Sequence, residues 1–202
     1  MQVGGTKVFW QLKRALDILL GLALLPLLLC VSVLALCFNP WLNPGPLVFS
    51  QPRIGRHGAL FIMYKLRTMR CLTQAPSGQR FADTEIHRIT PFGFFLRRYR
   101  LDELPQLLNV LRGDMSLIGP RPEQPGFVNE YTAAMPDYHR RHIVRPGLSG
   151  LSQVVQGYTS DTSGTRRKLA LDLRYISQAG VRMEAYVFWR TLITVATGHG
   201  AI

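Results

Sequence analysis

Acidic side chains are scarce in this 202-residue chain: 12 aspartates and glutamates stand against 24 lysines and arginines, a formal charge of +12. A chain so short of negative charge takes anions as partners, and three kinds qualify: nucleic acid, anionic lipid headgroups and phosphorylated substrates. Cysteine is scarce too. Cys30, Cys37 and Cys71 show no metal-ligand spacing and no disulfide framework, which fits a body facing the cytoplasm. Internal repeats and low-complexity tracts are absent, and the length suits one domain with a real core.

Charge is missing altogether from Ile18 to Phe38. Such a stretch makes a helix of about 30 Å, the hydrocarbon thickness of a bilayer. It is too long for a signal peptide, and Cys30-Val31-Ser32 leads into more hydrophobic residues instead of a small-residue cleavage site. A helix that spans and a helix that enters and returns both remain. Lys7, Lys13 and Arg14 precede the stretch, while Arg53, Arg56, Lys65, Arg67 and Arg70 follow it. The excess of positive charge keeps both flanks cytoplasmic. Pro26 cannot donate to the Leu22 carbonyl, so a kink is expected near the middle. Both features favour a re-entrant hairpin over a kinked spanning helix. The expected division is a membrane-embedded segment over residues 1–39 and a cytoplasmic-face domain over 40–202.

Beyond Pro40 the composition changes, and Asn43-Pro44-Gly45-Pro46 marks the exit from the apolar segment. Residues 47–50 and 60–64 read as two short strands of a hairpin. Residues 73–79, with Pro, Ser and Gly, read as a loop. Helices are expected over 92–99, 103–111, 124–134, 166–177 and 183–196, with a kink at 100–102 and irregular chain at 119–122. The last helix carries Val187, Phe188, Trp189, Leu192 and Ile193. It suits either a bilayer interface or the protein core. The fold class is therefore α+β and mostly helical, with a short β-hairpin and amphipathic interfacial helices.

The most informative stretch runs from Leu96 to Leu107 and contains Arg97, Arg98, Arg100, Asp102 and Glu103. As residue types alone, Asp102 reads as a helix N-cap and Glu103 as a first-turn acid. Chemistry offers a second reading. A carboxylate held ionised beside several guanidinium groups is a nucleophile toward phosphorus, forming an acyl phosphate. Arginines and a divalent cation would offset the repulsion between that carboxylate and a diphosphate. Arg121 sits between two prolines and Arg145 precedes one, so both have constrained backbones.

These motifs carry a family likeness. Residues 13–17 (Lys-Arg-Ala-Leu-Asp), 45–51, 64–69, 101–110, 113–123 and 144–147 (Val-Arg-Pro-Gly) occur in an order that resembles the bacterial sugar transferase family. These are monotopic polyprenol-phosphate phosphoglycosyl transferases, here of the small single-domain type. The match covers residues 13–175. The resemblance implies that Asp102 attacks the β-phosphate of a UDP-sugar, UMP leaves, and polyprenol phosphate then takes the sugar phosphate. It implies that Asp102 and Glu103 are catalytic and place Mg²⁺, and that Arg97, Arg98, Arg121, Arg145 and Lys65 bind phosphate or substrate. It also implies a re-entrant membrane element and a place at the bacterial inner membrane, beside anionic lipids of the inner leaflet.

Two departures stand out. The family usually places its helix-breaking proline after a serine about one turn beyond Pro26. A frequent Trp and a final Arg are missing from the loop 147–158. Two rival readings differ in their products. A membrane-tethered basic binding module would show salt-sensitive binding of nucleic acid or lipid and no dependence on Asp102. Phe92, Phe94, Phe95 and Tyr99 have the spacing of a buried helix face instead of a base-stacking platform, so nucleic acid is not expected. A metal-dependent nucleotide-sugar hydrolase would release free sugar phosphate.

Overall fold

A computed structural model describes residues 3–71, 82–156 and 162–197, so the loop expected at 73–79 lies outside the described residues. Helix α1 (Lys7–Ala23) starts where the Thr6 hydroxyl accepts the Phe9 N–H. Only Leu24 separates it from α2 (Leu25–Leu42). The interruption thus falls two residues before Pro26, which occupies the first turn of α2, where its missing N–H is harmless. Helix α2 also continues through Pro40 and ends at Asn43. Arg67 fastens that end: its guanidinium donates to the Pro46 and Asn43 carbonyls and to Asn43 Oδ1, while Asn43 Nδ2 donates back to the Arg67 carbonyl. A cation on the last carbonyls of a helix is favourably placed in the field of its dipole.

Both limbs of this helical pair dock on the same body. On α1 the buried residues are Lys13, Asp17 and Gly21; on α2 they are Val31, Ala35 and Asn39, each set at four-residue spacing along one face. Gly21 lies so close to Leu111 that a β-carbon there would meet its methyl at 3.0 Å. Most of the other large apolar side chains of the pair are uncovered, Leu19 and Leu29 by about two thirds (62% and 66%). Among the described residues, α2 is the one helix long and apolar enough to cross a membrane.

The hairpin is present and longer than its apolar runs suggested. Strands β1 (Val48–Ile54) and β2 (Leu60–Leu66) pair antiparallel from Val48↔Leu66 to Ile54↔Leu60. Backbone pairing carries the ladder through Pro52 and Arg53, which no apolar pattern would mark as strand. Helix α3 (Pro91–Arg98), capped by Thr90, packs Leu96 against Val31, Ala35 and Leu66. Phe94, Phe95 and Tyr99 stay about half exposed, so the aromatic face of α3 is not the buried face its spacing suggested. Helix α4 (Gln106–Arg112) follows a 3-10 turn, Leu101–Glu103.

The remaining core gathers around a parallel pair, β3 (Ser116–Ile118) with β4 (Gly147–Ser149). Each strand has three residues, too few to leave a periodic trace in sequence. Helices α5 (Pro125–Ala134), α6 (Leu151–Gln156), α7 (Thr162–Ser177) and α8 (Val181–Thr197) surround it. Ile118, Val144, Leu151, Val154, Tyr175, Ile176 and Val187 form the largest buried cluster. Helix α8 buries Val187 fully in the core, whereas Trp189 and Phe188 on other faces are open.

Candidate functional site

The acidic pair lies where α3 hands over to α4. Arg100 adopts a left-handed backbone conformation (φ 58°) and turns the chain into the Leu101–Glu103 turn. Leu101 and Leu104 then pack against Val31, Ala35, Leu66 and Leu96, which anchors the turn on the apolar helix α2. Asp102 and Glu103 are 6% and 5% exposed. Asp102 is therefore not the N-cap expected: Pro105 occupies that position of α4, and no side chain caps it.

Four basic residues converge on the pair. Lys65 Nζ, from β2, is 2.7 Å from Glu103 Oε1. Arg121 straddles the same carboxylate, at 2.5 Å to Oε1 and 3.3 Å to Oε2. Arg97 donates to Thr68 Oγ1 at 2.9 Å, and its charge, with those of Lys65 and Arg121, is felt by Asp102. Arg100 adds to the positive field at Glu103.

The two carboxylates are thereby pushed in opposite directions. For Glu103, burial alone would favour the neutral acid, but Arg121 and Lys65 hold it well below the usual carboxylate range. For Asp102, which accepts no hydrogen bond from the described residues, burial prevails over Lys65. Glu103 adds repulsion, and its pKa is raised to about 6. The cations around Asp102 thus do not lower its pKa below the ordinary value, and it ionises only above about pH 6. Glu103 takes the ion pairs, because its carboxylate is the one within reach of both Lys65 and Arg121.

The structure sorts the remaining predicted residues. Arg98 is exposed, one position round α3 from Arg97, with its guanidinium 5.9 Å from the Tyr99 ring centre. It makes no contact with the acidic pair. Arg145 donates to the Gly113 carbonyl beyond the far end of α4 and lines a separate cavity. The gathered set is thus Lys65, Arg97, Arg121, Asp102 and Glu103.

The donor chemistry suits a Mg²⁺ ion. Among the described residues no three Asp, Glu, His or Cys side chains cluster, so an all-protein cage is absent. Mg²⁺ commonly needs only one or two carboxylates, with water and substrate phosphates completing its shell. Asp102 offers an open carboxylate. One turn on, fully buried Gln106 leaves both ends of its amide without a partner among the described residues. An orphaned buried amide marks a place where a further polar group belongs.

A second layer of charge escaped the sequence reading. The turn bearing Arg121 is clamped by two guanidiniums: Arg53 donates to the Pro122 carbonyl at 3.1 Å and Arg141 to the Arg121 carbonyl at 2.8 Å. Arg141 is itself 2% exposed and bound to Asp172 Oδ2 at 2.6 Å, while Ser152 donates to Asp172 Oδ1 at 2.8 Å. Glu123, next to the clamp, is paired with Lys168 and lies near Arg141 and Arg53. Burial opposes its ionisation, yet these cations bring its pKa to about 2. Only the prolines flanking Arg121 hinted that this turn is held rigid.

A membrane-length apolar helix thus packs against the turn that carries a buried acidic pair ringed by basic side chains. The chain belongs to the bacterial sugar transferase family, whose model matches residues 8–198. It is 42% identical to a UDP-N-acetylgalactosamine-undecaprenyl-phosphate N-acetylgalactosaminephosphotransferase from Aeromonas hydrophila, over 96% of this chain but 46% of that protein. It is 40% identical to a UDP-glucose:undecaprenyl-phosphate glucose-1-phosphate transferase from Caulobacter vibrioides, over 94% of this chain and 71% of the relative. A third relative, the exopolysaccharide production protein PSS of Rhizobium leguminosarum, is 37% identical over 92% of this chain and 96% of its own length. The chain therefore spans about half of the first relative and nearly all of the third.

Proposed function

We propose that this protein transfers a sugar 1-phosphate from a UDP-sugar to undecaprenyl phosphate through a covalent intermediate on Asp102. The carrying observation is the contrast within the acidic pair. Glu103 is neutralised by Lys65 and Arg121, whereas Asp102 is buried, accepts no hydrogen bond from the described residues and lies in a field of positive charge. An Asp102 oxygen attacks the β-phosphorus, the bond from that phosphorus to the bridging oxygen breaks, and UMP departs with the electron pair. An oxygen of the lipid phosphate then attacks the same phosphorus, and Asp102 leaves as carboxylate. Lys65, Arg97 and Arg121 supply the positive field that offsets phosphate charge in both steps. A Mg²⁺ held by Asp102 and Glu103 would add to that field. The relatives' names, which specify undecaprenyl phosphate with N-acetylgalactosamine in one case and glucose in another, support the reaction class and differ in the sugar.

The lipid acceptor keeps its phosphate at the bilayer surface, which gives a membrane anchor a chemical purpose. Docking of both α1 and α2 on one body supports a re-entrant segment, with the catalytic body on the cytoplasmic side. The test is mass analysis of the intact chain quenched with UDP-sugar and Mg²⁺ in the absence of lipid. A sugar-phosphate adduct on the peptide holding Asp102 and one UMP per adduct are expected. Undecaprenyl phosphate should then discharge the adduct into a lipid-linked sugar. Free sugar phosphate as the product would establish hydrolysis instead, and binding without UMP release would leave only a tethering module.

The raised pKa sets the pH dependence. Asp102 attacks as the anion, so kcat/KM should fall about tenfold per pH unit below an acid limb at about pH 6. Glu103, held well below the usual range, titrates further down and adds nothing to that limb. A flat profile between pH 5 and 7 would contradict the assignment.

A further inference from the structure

A second concentration of positive charge lies apart from the acidic pair. Arg14 donates through both Nη nitrogens to the Val110 and Leu111 carbonyls, at 2.6 and 2.9 Å, at the C-terminal end of α4. Arg145 Nε donates to the Gly113 carbonyl at 2.9 Å, and Arg56 Nε to the Ile143 carbonyl at 3.2 Å. These three guanidiniums, with Lys13, Asp17, Ser116 and Trp10, line a cavity of about 270 Å³. The acidic pair precedes α4 and this cavity lies beyond its last turn, a separation of about 10 Å for a seven-residue helix.

The fold accounts for part of the charge and leaves the rest. Lys13 is paired with Glu184 at 2.6 Å. Asp17 spends both oxygens on the fold, one on the Ser116 hydroxyl and one on the Leu117 N–H. Among the described residues the arginines have only neutral carbonyl partners, and the single negative charge of Asp17 leaves the cavity with a positive balance. Arg56 and Arg145 each leave both Nη nitrogens without a partner among the described residues. Free guanidinium forks on a cavity wall are the geometry that takes phosphate oxygens two at a time. The cavity's α1 wall, Trp10 to Asp17, comprises the last polar turns before the uncharged stretch begins at Ile18. That is headgroup depth for a helix entering a bilayer, where a tryptophan is also at home.

We propose that Arg14, Arg56 and Arg145 form a second anion site, which takes the phosphate of a phosphodiester or phosphate monoester, with an anionic lipid headgroup as its source. The site is too far from Asp102 to hold a reacting phosphate, and it does not depend on the transfer reaction.

The test is thermal unfolding of the full chain in neutral detergent, with additions of short-chain phosphatidylglycerol, short-chain phosphatidylcholine or inorganic phosphate. Phosphatidylglycerol should raise the melting temperature saturably and phosphatidylcholine should not. In R56Q/R145Q the midpoint concentration should rise about tenfold or more, the scale of losing charge-assisted hydrogen bonds. R140Q removes the same charge from an exposed arginine paired with Asp137, and should behave as wild type. If the double variant fails to fold, R56Q alone, altering an exposed side chain, should still give a smaller rise in midpoint. Inorganic phosphate acting at the same concentrations, with loss in the variants, would assign the site to an anion from solution. An unchanged phosphatidylglycerol response in the variants, or an equal response to phosphatidylcholine, would overturn the proposal.

Discussion

Replacing Asp102 with asparagine should abolish UMP release and, in the same protein, raise the melting temperature. The first effect follows from removing the attacking oxygen, so turnover should fall to background in an assay of UMP with UDP-sugar and undecaprenyl phosphate. The second follows from linkage. Burial raises the Asp102 pKa from 3.8 to about 6, so the folded state binds a proton more tightly than the unfolded chain. Stability from this group is fully present below the unfolded value and is lost as the pH climbs through 6. At pH 8 the folded protein therefore carries a buried charge, without a hydrogen bond from the described residues, that the amide does not. A shift of that size corresponds to a cost on the order of 2–3 kcal/mol, or about 5 °C in a chain of this length. The gain should fade toward pH 4, where wild-type Asp102 is itself protonated. A variant with unchanged stability at pH 8 would show that the charge is compensated in the resting protein. A gain of stability on losing a catalytic group is the signature of a site that trades one for the other.

The Asp172→Ala variant carries the largest expected loss of stability. Arg141 is fully enclosed, with Asp172 as its closest acidic partner, and the two side chains are each 1% exposed. Removing the acid leaves a guanidinium inside the protein, which costs about 3–5 kcal/mol and should lower the melting temperature by about 10 °C. The milder Asp172→Asn keeps one amide oxygen that can accept from Arg141, while its NH2 replaces the acceptor of the Ser152 hydroxyl, so a folded population should survive. That population tests the clamp on the active turn. Arg141 holds the Arg121 carbonyl, and Arg121 holds Glu103, so a loosened Arg141 should misplace the positive field over the diphosphate. Turnover in the folded Asn variant should fall at least tenfold while the acid limb of the pH profile stays with Asp102. Loss of stability with full specific activity would confine this network to the fold.

The sequence made some of this architecture legible. The uncharged stretch, the hairpin, helices α3, α5, α7 and α8, and the break at Arg100 all show in residue pattern, because each depends on neighbours within a few positions. Pro26 marked the broken helix but misplaced the interruption, since a proline restrains the residues before it as well as itself. The parallel pair β3–β4 and the long 3-10 turn Pro136–Ile143 were invisible. The strands join segments about thirty residues apart, and the turn has no period that distinguishes it from loop. Within the site, Asp102, Glu103, Lys65, Arg97 and Arg121 were all named from sequence. Arg98 and Arg145 were named with them on the same motif grounds and lie elsewhere.

From sequence alone came the composition of the chemistry: an acidic pair, a surplus of arginine and an apolar anchor in one chain. Those follow from residue identity, which folding does not alter. Tertiary structure decided which acid is neutralised, which is left open, and which arginines face them. Ionisation and ion pairing depend on distance and exclusion of water, and both are set by segments far apart in the chain. The order of residues along the backbone carries neither quantity.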